Sequence, residues 1–296
     1  MKHSLIIGMG IGQLYQVELL KLGHTVITVD NDTNKSADYT NLQVALDTHA
    51  PFDTIHICTP NFTHETIANQ VAKFTKIVFI EKPGVIDSAH WKSLINSNLS
   101  TRFMMVKNNQ WREEIDIMKE LSNDAVSIQI RWLNRDRVPS PGSWFTTKDL
   151  AFGGVSRDLL PHLLSLYTML NPEYETTPDI FRYSTKMWEL TDLTNTEYGI
   201  INSAGTYNVD DACIMEFRDN RREWSLETAW RTMADTRQDI EFIMENDSSI
   251  VIQLGLCPEI AYHNMIKDAL ANVDNTEWWA NQYKQDCWIH GQIEAL

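Results

Sequence analysis

The sequence predicts an α/β protein with two domains, a doubly wound parallel sheet followed by an α+β domain whose sheet is largely antiparallel. Up to about residue 120, short apolar strands alternate with segments of helical spacing, which is typical of a parallel sheet with right-handed crossovers. From residue 126 onward, strand-like segments follow one another with short polar turns between them, as in consecutive hairpins. A chain of 296 residues is long enough to bury two cores. We therefore expect domains at 1–120 and 121–296.

The elements of the first domain are placed by apolar runs and by the turn residues between them. A strand is predicted where apolar and β-branched residues run together and stop at a turn signal, and a helix where apolar residues recur at helical spacing. Strands are expected at 5–7, 26–29, 54–58, 76–80 and 103–106, and helices at 13–22, 42–48, 63–73, 88–96 and 113–121.

The second domain is predicted from longer strand candidates. The polar segments 218–221 and 246–248 are typical of hairpin turns, so the strands on either side of each should pair antiparallel. Strands are expected at 126–133, 180–188, 212–217, 223–230, 239–245 and 249–254, and helices at 158–170, 259–273 and 276–295.

Composition narrows the classes of function. The hydrophobic fraction of 43% with 22% charged residues is that of a globular protein, and the net charge of −15 argues against nucleic acid or an anionic membrane as a partner. No apolar stretch approaches the length of a membrane span, and the run after Lys2 is broken by glycines, so we expect a first strand rather than a signal peptide. The four cysteines lack metal-ligand spacing, which favours buried free thiols, a cytoplasmic location and no metal.

Three glycines, Gly8, Gly10 and Gly12, lie between the first strand and the first helix. A glycine turn lets the backbone approach a pyrophosphate, and the free N–H groups at the start of the helix favour negative charge there. The second strand ends in Asp30, which can accept hydrogen bonds from an adenosine ribose and would repel a 2′-phosphate. No Arg follows Asp30, so the unit predicts a dinucleotide site for NAD in preference to NADP. The alternative is a glycine-rich loop in an α/β protein that binds no nucleotide.

Two further motifs follow predicted strands, where ligands bind in a doubly wound sheet. Thr59-Pro60-Asn61 with His64 comes after the third strand, and by itself it also fits a strand exit and helix cap. Glu81-Lys82-Pro83 comes after the fourth strand and places a lysine at the rim of the sheet, although the motif alone fits a solvated loop lysine somewhat better.

A third constellation lies in the second domain. Asp158 and His162 are four residues apart, so on a helix they share one face, and a carboxylate beside an imidazole can orient it and raise its basicity. Gly153 and Gly154 precede them and allow close approach of a ligand or of the other domain. Pro161 is tolerated if it lies in the first helical turn. The alternative is a capping aspartate and a core histidine.

Together these motifs resemble the Gfo/Idh/MocA oxidoreductase family (glucose–fructose oxidoreductase, inositol dehydrogenase, rhizopine catabolism), whose order and spacing they share. The resemblance covers residues 1 to about 170 by motif, and the later hairpins agree with it in architecture. It implies a Rossmann domain followed by an α+β domain with an open, mostly antiparallel sheet. The outer face of that sheet commonly mediates assembly, so a homodimer or homotetramer is expected.

The resemblance also assigns roles to the motif residues. It implies that a secondary alcohol of a sugar or cyclitol loses its proton to His162 and its hydride to NAD, while Lys82 donates a hydrogen bond to the oxygen and Asp158 positions His162. Whether His162 or Lys82 takes the proton stays open. It places Thr59, Pro60 and Asn61 beside the nicotinamide and Glu81 near its ribose. The full set expected to bind the cofactor is Gly8, Gly10, Ile11, Gly12, Asp30, Thr59, Pro60, Asn61, His64, Glu81 and Lys82.

Several positions depart from the family pattern and leave room for a divergent substrate. Gln13 stands where G-x-G-x-x-G has its third glycine, Phe152 replaces the first glycine of a G-G-G run, and Leu160 replaces a glycine between the aspartate and the histidine. Residues that could contact a substrate are Arg135 and Arg137, which could hold an anionic group, Trp144, which could stack on a sugar ring, and Asn108 after the fifth strand.

Two other functions stay open on the same scaffold. One is reduction of a non-sugar small molecule such as a bilin or an imine, and the other is a non-catalytic NAD-sensing regulator. Retention of Lys82, Asp158 and His162 favours an NAD-dependent dehydrogenase or reductase that acts on a sugar, a cyclitol or a sugar derivative.

Overall fold

A computed structural model of the chain describes residues 2–176, 179–194, 197–255 and 259–296. The chain divides into two compact units, Met1–Arg112 with Pro258–Gly291, and Glu113–Cys257 with Gln292–Leu296. This grouping differs from a single expected boundary near residue 120, because the C-terminal segment 258–291 returns to the first unit.

The elements within the described residues follow the predicted order closely. The strands are β1 (Lys2–Ile7), β2 (His24–Val29), β3 (Phe52–Ile57), β4 (Thr75–Ile80), β5 (Arg102–Met105), β6 (Ala125–Leu133), β7 (Asp179–Thr185), β8 (Ala212–Arg218), β9 (Glu223–Ala229), β10 (Arg237–Met244) and β11 (Ser249–Gln253). The helices are α1 (Gly12–Lys21), α2 (Leu42–His49), α3 (His64–Val71), α4 (Ser88–Ser97), α5 (Ile115–Asp124), α6 (Lys148–Ala151), α7 (Val155–Asp158), α8 (Leu160–Leu170), α9 (Glu259–Ala271) and α10 (Thr276–Glu294).

The first unit contains a parallel five-stranded sheet in the order β2-β1-β3-β4-β5, which confirms the predicted doubly wound sheet. Its central strands are apolar along their length because a parallel sheet is covered on both faces. Helices α1 and α9 pack against the same core. Tyr15 and Leu19 of α1 meet Tyr262, Met265 and Ile266 of α9, which recur at helical spacing. This apolar stripe explains why the C-terminal segment folds back onto the first unit.

The second unit contains a six-stranded sheet in the order β11-β10-β6-β9-β8-β7. Only β6 and β9 pair in parallel within the described sheet, and the other neighbours are antiparallel, so the predicted mostly antiparallel sheet is confirmed. Helix α8 packs on one face. The Tyr167 ring lies 4.4 Å from Phe217 of β8 and 4.9 Å from Trp224 of β9, measured between centroids.

Two predicted elements end differently in the structure. The strand expected at 180–188 stops at Thr185, because the Asp211 carboxylate accepts hydrogen bonds from the backbone N–H groups of Met187 (2.8 Å) and Trp188 (3.1 Å). The helix expected at 158–170 is interrupted at Leu159 and resumes as α8 with Pro161 in its first turn, where a missing N–H costs no intrahelical bond.

The cysteines within the described residues are free thiols. Cys213 is buried, Cys58 and Cys287 are half-buried, and Cys257 lies outside the described residues. Burial raises the pKa of all three described thiols, which keeps them in the unreactive protonated form at neutral pH. No helix in the described segments is both long and apolar enough to cross a membrane.

Candidate functional site

The glycine turn after β1 is shaped by close backbone packing. Gly8 has a positive φ of 95°, and a Cβ there would lie 2.5 Å from the carbonyl oxygen of Cys58. The Gly8 N–H donates to Val29 O at 2.8 Å, so this residue meets the ends of both β2 and β3. A Cβ on Gly12 would lie 2.8 Å from Cγ2 of Ile6, so Gly12 lets α1 pack closely on β1. Only glycine satisfies both positions without displacement.

Gly10 differs from its neighbours because it faces open space. A Cβ built at Gly10 would have no atom within 4 Å, and the residue is exposed. Ile11 occupies the position before α1, and no side chain among the described residues caps that helix end. Backbone N–H groups at the start of α1 therefore keep their capacity to bind an anion, and the open side at Gly10 allows a pyrophosphate to approach them. These features fit a dinucleotide.

Asp30 lies at the end of β2 and holds the glycine turn. Its Oδ2 accepts a hydrogen bond from the Met9 N–H at 2.7 Å, and its Oδ1 accepts one from the Asp32 N–H at 2.9 Å. Each carboxylate oxygen has a second lone pair for a ribose hydroxyl. The structure therefore places the Asp30 carboxylate beside the glycine turn, as the sequence predicts.

The segment after β3 forms a compact loop. The hydroxyls of Thr59 and Thr63 are 2.6 Å apart, and the Thr63 hydroxyl donates to Pro60 O at 2.7 Å. Asn61 begins a short 3-10 turn and is half-buried, and α3 starts at His64. The loop is therefore ordered by its own side chains at the carboxyl edge of the sheet.

His64 connects this loop to the next one. Its Nδ1 lies 2.8 Å from Gly84 O and its Nε2 lies 2.8 Å from Thr59 O. Burial lowers the pKa of His64, whereas the two carbonyl oxygens act in the opposite direction. Because the ring is fully buried and both nitrogens face main-chain oxygens, His64 positions two loops, and its expected role in cofactor binding stays a prediction.

Glu81 is held by two tyrosine hydroxyls, and its expected place near the ribose stays a prediction. Its carboxylate is buried and accepts hydrogen bonds from the hydroxyls of Tyr15 (2.7 Å) and Tyr262 (3.4 Å). Burial raises the pKa of Glu81, while the nearby charge of Lys82 lowers it. The two tyrosines were missed by sequence reasoning, since Tyr262 lies 181 residues away and no local pattern links it to Glu81.

Lys82 is the half-buried residue of an otherwise buried turn. Glu81, Pro83, Gly84 and Val85 are all buried, and the Gly84 N–H donates to Glu81 O at 3.0 Å to close the turn. Gly84 has a positive φ of 82°, which favours glycine. The side chain of Lys82 is thus borne by a rigid backbone at the carboxyl end of β4.

In the second unit, Asp210 organises the glycine pair that precedes α7. Its carboxylate accepts hydrogen bonds from the N–H groups of Gly154 and Ser156, each at 2.8 Å, and its carbonyl accepts one from Val155 at 2.9 Å. A Cβ on Gly154 would lie 1.7 Å from Asp210 O. Gly154 is therefore required for the close approach of the backbone at residue 210, which sequence reasoning did not identify.

Two tryptophans surround the predicted aspartate and histidine. The Trp230 indole donates to Oδ2 of Asp158 at 2.8 Å, and the Trp132 ring stacks on His162 with centroids 5.3 Å apart and planes 27° apart. His162 is buried and Asp158 is half-buried. The two residues lie on either side of the interruption at Leu159. The tryptophans therefore help to fix an aspartate and a histidine that α7 and α8 supply.

The first part of the chain is similar to a known family. Residues 5–104 match the family model GFO_IDH_MocA, described as an oxidoreductase family with an NAD-binding Rossmann fold. The match is confined to the Rossmann segment, and over that segment the chain is similar to the Gfo/Idh/MocA family. A protein of Amycolatopsis mediterranei, provisionally named the oxidoreductase subunit of UDP-kanosamine synthase, is 27% identical over 135 residues. That match covers 44% of this chain and 38% of the relative's length.

Solved structures agree in fold across almost the whole chain. GenD2 of gentamicin A biosynthesis, in complex with NAD, has a TM-score of 0.78 at 16% identity and covers 99% of this chain and 92% of its own. Levoglucosan dehydrogenase with NADH and levoglucosan has a TM-score of 0.75 at 14% identity, covering 99% and 97%. A myo-inositol dehydrogenase of Corynebacterium glutamicum has a TM-score of 0.74 at 12% identity, covering 99% and 94%. At these identities the likeness shows the fold alone.

The residues in which the chain departs from the Gfo/Idh/MocA pattern are accommodated in different ways. Phe152 takes a left-handed conformation, with a φ of 69°, at the end of α6. A glycine would adopt this conformation without strain. Leu160 is fully buried at the start of α8, so it fills core space that a glycine would leave empty.

The candidate substrate residues lie in varied environments. Arg135 is exposed, and its Nη1 lies 3.7 Å from Oδ1 of Asp235. Arg137 is also exposed, and its guanidinium carbon lies 5.0 Å from the Tyr198 ring centroid. Trp144 stacks on Phe145 with centroids 3.8 Å apart. In the first unit, Asn108 is buried just after β5. Among the described residues, no group of three or more potential metal ligands is placed to hold an ion.

Proposed function

We propose that the protein is an NAD-dependent oxidoreductase that transfers a hydride between the nicotinamide and a secondary alcohol or ketone of a sugar, a cyclitol or a sugar derivative. The observation that carries this proposal is the glycine turn, which combines an uncapped start of α1, an open side at Gly10 and the Asp30 carboxylate. The match of the same segment to the Gfo/Idh/MocA family model supports it.

The substrate class is supported by the similar structures. These include a levoglucosan dehydrogenase with levoglucosan and a myo-inositol dehydrogenase. Each name contains a cyclic polyhydroxy compound. We therefore propose a cyclic polyhydroxy substrate for this chain as well. We also propose that the enzyme acts in the cytoplasm.

The chain's own groups supply the proton chemistry in this proposal. Lys82 donates a hydrogen bond to the reacting oxygen and stabilises negative charge that develops there. His162 takes the hydroxyl proton on oxidation and returns it on reduction. Asp158, held by the Trp230 indole, stabilises the positive charge that His162 acquires. The bound nicotinamide supplies only the hydride chemistry.

The preference for NAD over NADP follows from charge. Asp30 lies at the end of β2, where the adenosine ribose is held in Rossmann domains, and a carboxylate there repels a 2′-phosphate. Because Oδ2 also accepts from Met9 N–H, removing the whole side chain would disturb the glycine turn, so charge and hydrogen bonding need separate variants.

The test is a fluorescence titration with NADH and with NADPH. Wild type should bind NADH at least tenfold more tightly than NADPH. Asp30→Asn keeps an acceptor for the Met9 N–H and removes the charge, so it should reduce the ratio of NADH affinity to NADPH affinity. Asp30→Ala should weaken the binding of both nucleotides. Asp32→Asn, which removes a neighbouring exposed charge, serves as the control. Absence of binding by either nucleotide would overturn the proposal.

A turnover screen with sugars and cyclitols then separates the remaining functions. Turnover that Lys82→Ala and His162→Ala both abolish supports the sugar dehydrogenase. Tight NADH binding without turnover of any sugar or cyclitol would instead favour a non-sugar reductase or an NAD-sensing regulator.

A further inference from the structure

The backbone that bears Lys82 is held by side chains from several elements. Tyr15 of α1 and Tyr262 of α9 bond to Glu81, which precedes it, and His64 of α3 faces Gly84 O, which follows it. At the end of the turn, the Val85 N–H also needs an acceptor. Its partner comes from the C-terminal helix.

Helix α10 presents two polar side chains four residues apart on one face, Asp286 and His290. Both are fully buried, which is unusual for polar groups unless each finds partners. The Nδ1 of His290 lies 2.7 Å from Asp286 O, so the ring is oriented by its own helix. With that nitrogen donating, Nε2 is left as an acceptor.

His290 uses that acceptor on the Lys82 turn. The Val85 N–H donates to Nε2 at 3.3 Å, and the ring stacks on Trp91 of α4 with centroids 5.0 Å apart. A Cβ on Gly84 would lie 2.7 Å from Nε2, so the turn rests directly on the imidazole edge. This contact joins residues 205 positions apart in the sequence.

Asp286 fixes the neighbouring strand end from the same helix. It forms a fully buried ion pair with Lys107, and its Oδ2 accepts from the Met105 N–H at 3.1 Å. Burial raises the pKa of Asp286 to about 6, and the charge of Lys107 opposes that rise. Removing either partner would leave a buried uncompensated charge, so the pair holds α10 in one register against β5.

We propose that His290, held in place by α10 through the Asp286–Lys107 pair, is a positioning residue that sets the location of the Lys82 ammonium group. The proposal rests on the proposed function for its chemical purpose. It goes beyond that function because it assigns α10 a part in positioning the Lys82 ammonium group, which stabilises charge on the reacting oxygen. His290 acts through the backbone at Val85 and Gly84 and touches no reacting atom.

The variants distinguish hydrogen bonding from packing. His290→Gln keeps an acceptor near the position of Nε2. His290→Phe keeps a ring against Trp91 and removes the acceptor. Ile289→Ala removes buried apolar volume from the adjacent position of α10 without altering a polar group, so it controls for general loss of stability.

The first readout does not depend on cofactor or substrate. Lysines are labelled by reductive methylation with ¹³C-formaldehyde, and the Lys82 signal is assigned by its absence in Lys82→Arg. His290→Phe should move or broaden that signal and speed exchange of the Val85 amide roughly fivefold to tenfold, as expected for one lost hydrogen bond. His290→Gln and Ile289→Ala should leave the Lys82 signal and the exchange rate of the Val85 amide close to wild type.

The second readout is turnover with whichever polyhydroxy substrate the screen identifies. His290→Phe should lower kcat about tenfold with little change in KM for NAD, whereas His290→Gln and Ile289→Ala should stay close to wild type. An unchanged Lys82 signal in His290→Phe, or an equal change in Ile289→Ala, overturns the positioning role. Failure of wild type to bind NADH overturns the proposed function instead, and the labelling result still decides the role of His290.

Discussion

Gly8 and Gly10 lie two residues apart in one turn, yet the structure assigns them different constraints. Gly8 has a left-handed backbone and no space for a Cβ, whereas Gly10 has an ordinary backbone and open space. The sequence could identify both as turn glycines because their spacing between a strand and a helix is local. It could not separate their roles, since the carbonyl that crowds Gly8 belongs to Cys58, which directly follows β3.

This difference predicts opposite behaviour for two alanine variants. Gly8→Ala should destabilise the fold by about 2 kcal/mol or more, because the new Cβ collides with backbone and the φ is strained. Gly10→Ala should leave the thermal midpoint close to wild type and weaken NADH binding at least tenfold, since the methyl group occupies the space that a pyrophosphate needs. Thermal unfolding and NADH titration of both variants check this, and tight NADH binding by Gly10→Ala would contradict the site.

Phe152 offers a second prediction at the scale of one residue. It holds a left-handed conformation where the family pattern has glycine, and that conformation costs a residue with a Cβ about 1 kcal/mol. Phe152→Gly and Phe152→Ala both remove the ring, so their difference isolates the backbone. The glycine variant should be the more stable of the two by about 1 kcal/mol in urea unfolding, and a more stable alanine variant would refute the backbone strain.

At the scale of elements, the strands were predictable to within a few residues because apolar runs that end at turn signals are local features. The interruption at Leu159 was not predicted, although Pro161 marked the first turn of α8. Asp210 and Trp230, which hold the glycine pair and Asp158, left no local signal. The same holds for a chain of polar side chains across β1, β2 and β3, formed by Ser4, His24, Thr54 and His56.

This polar chain makes the first sheet sensitive to acid. Burial lowers the pKa of His56 to about 3, so the folded protein keeps the imidazole neutral, whereas the unfolded chain binds a proton below its ordinary pKa of 6.5. The unfolded state therefore binds more protons between pH 6.5 and 3. Stability is fully present above that window and is lost as the pH falls through it, by about 2 kcal/mol at pH 5.

Replacing the histidine should remove this loss. His56→Phe keeps a ring against Phe79, with which His56 stacks at 4.7 Å, and it should lose about 2 kcal/mol less than wild type between pH 7 and 5 in urea unfolding. His90→Gln is the control, because the hydrogen bond that His90 donates to the Asp87 carboxylate raises the pKa of His90, so its linkage has the opposite sign. Equal pH dependence in His56→Phe and wild type would show that another group dominates.

At the scale of the whole molecule, segments that are far apart in the sequence belong to the same unit, since residues 258–291 group with residues 1–112. The return of α9 and α10 to the first unit brings Tyr262 to Glu81 and His290 to Val85 across most of the sequence. The motifs predicted the Rossmann unit and the residues Lys82, Asp158 and His162 because these follow strand ends and glycines. The supporting side chains were not predictable, since their partners are set by tertiary packing and not by spacing.

The face of the second sheet opposite α8 is the surface on which the expected homo-oligomer can be tested. By strand register, Phe181 and Tyr183 of β7 lie on the same face as Arg131 of β6 and Val251 of β11. The centre of this face is charged, because Arg131 pairs with the buried Asp239 at 2.8 Å, while its edges are apolar. Phe181 and Tyr183 are 55% and 54% exposed, as expected for residues that a second copy would cover.

The expected homodimer or homotetramer should therefore depend on this edge of the sheet. Phe181→Ser combined with Tyr183→Ser should lower the mass measured by size-exclusion chromatography with light scattering, because burial of two aromatic side chains at a symmetric contact is lost twice in each interface. Leu99→Ser, at an exposed apolar position of the first unit, should leave the mass unchanged. NADH affinity should be unaffected by the double substitution, since the residues proposed to bind the nucleotide belong to the first unit. A wild-type mass of one chain, or an oligomer that survives the double substitution, would exclude this face as the interface.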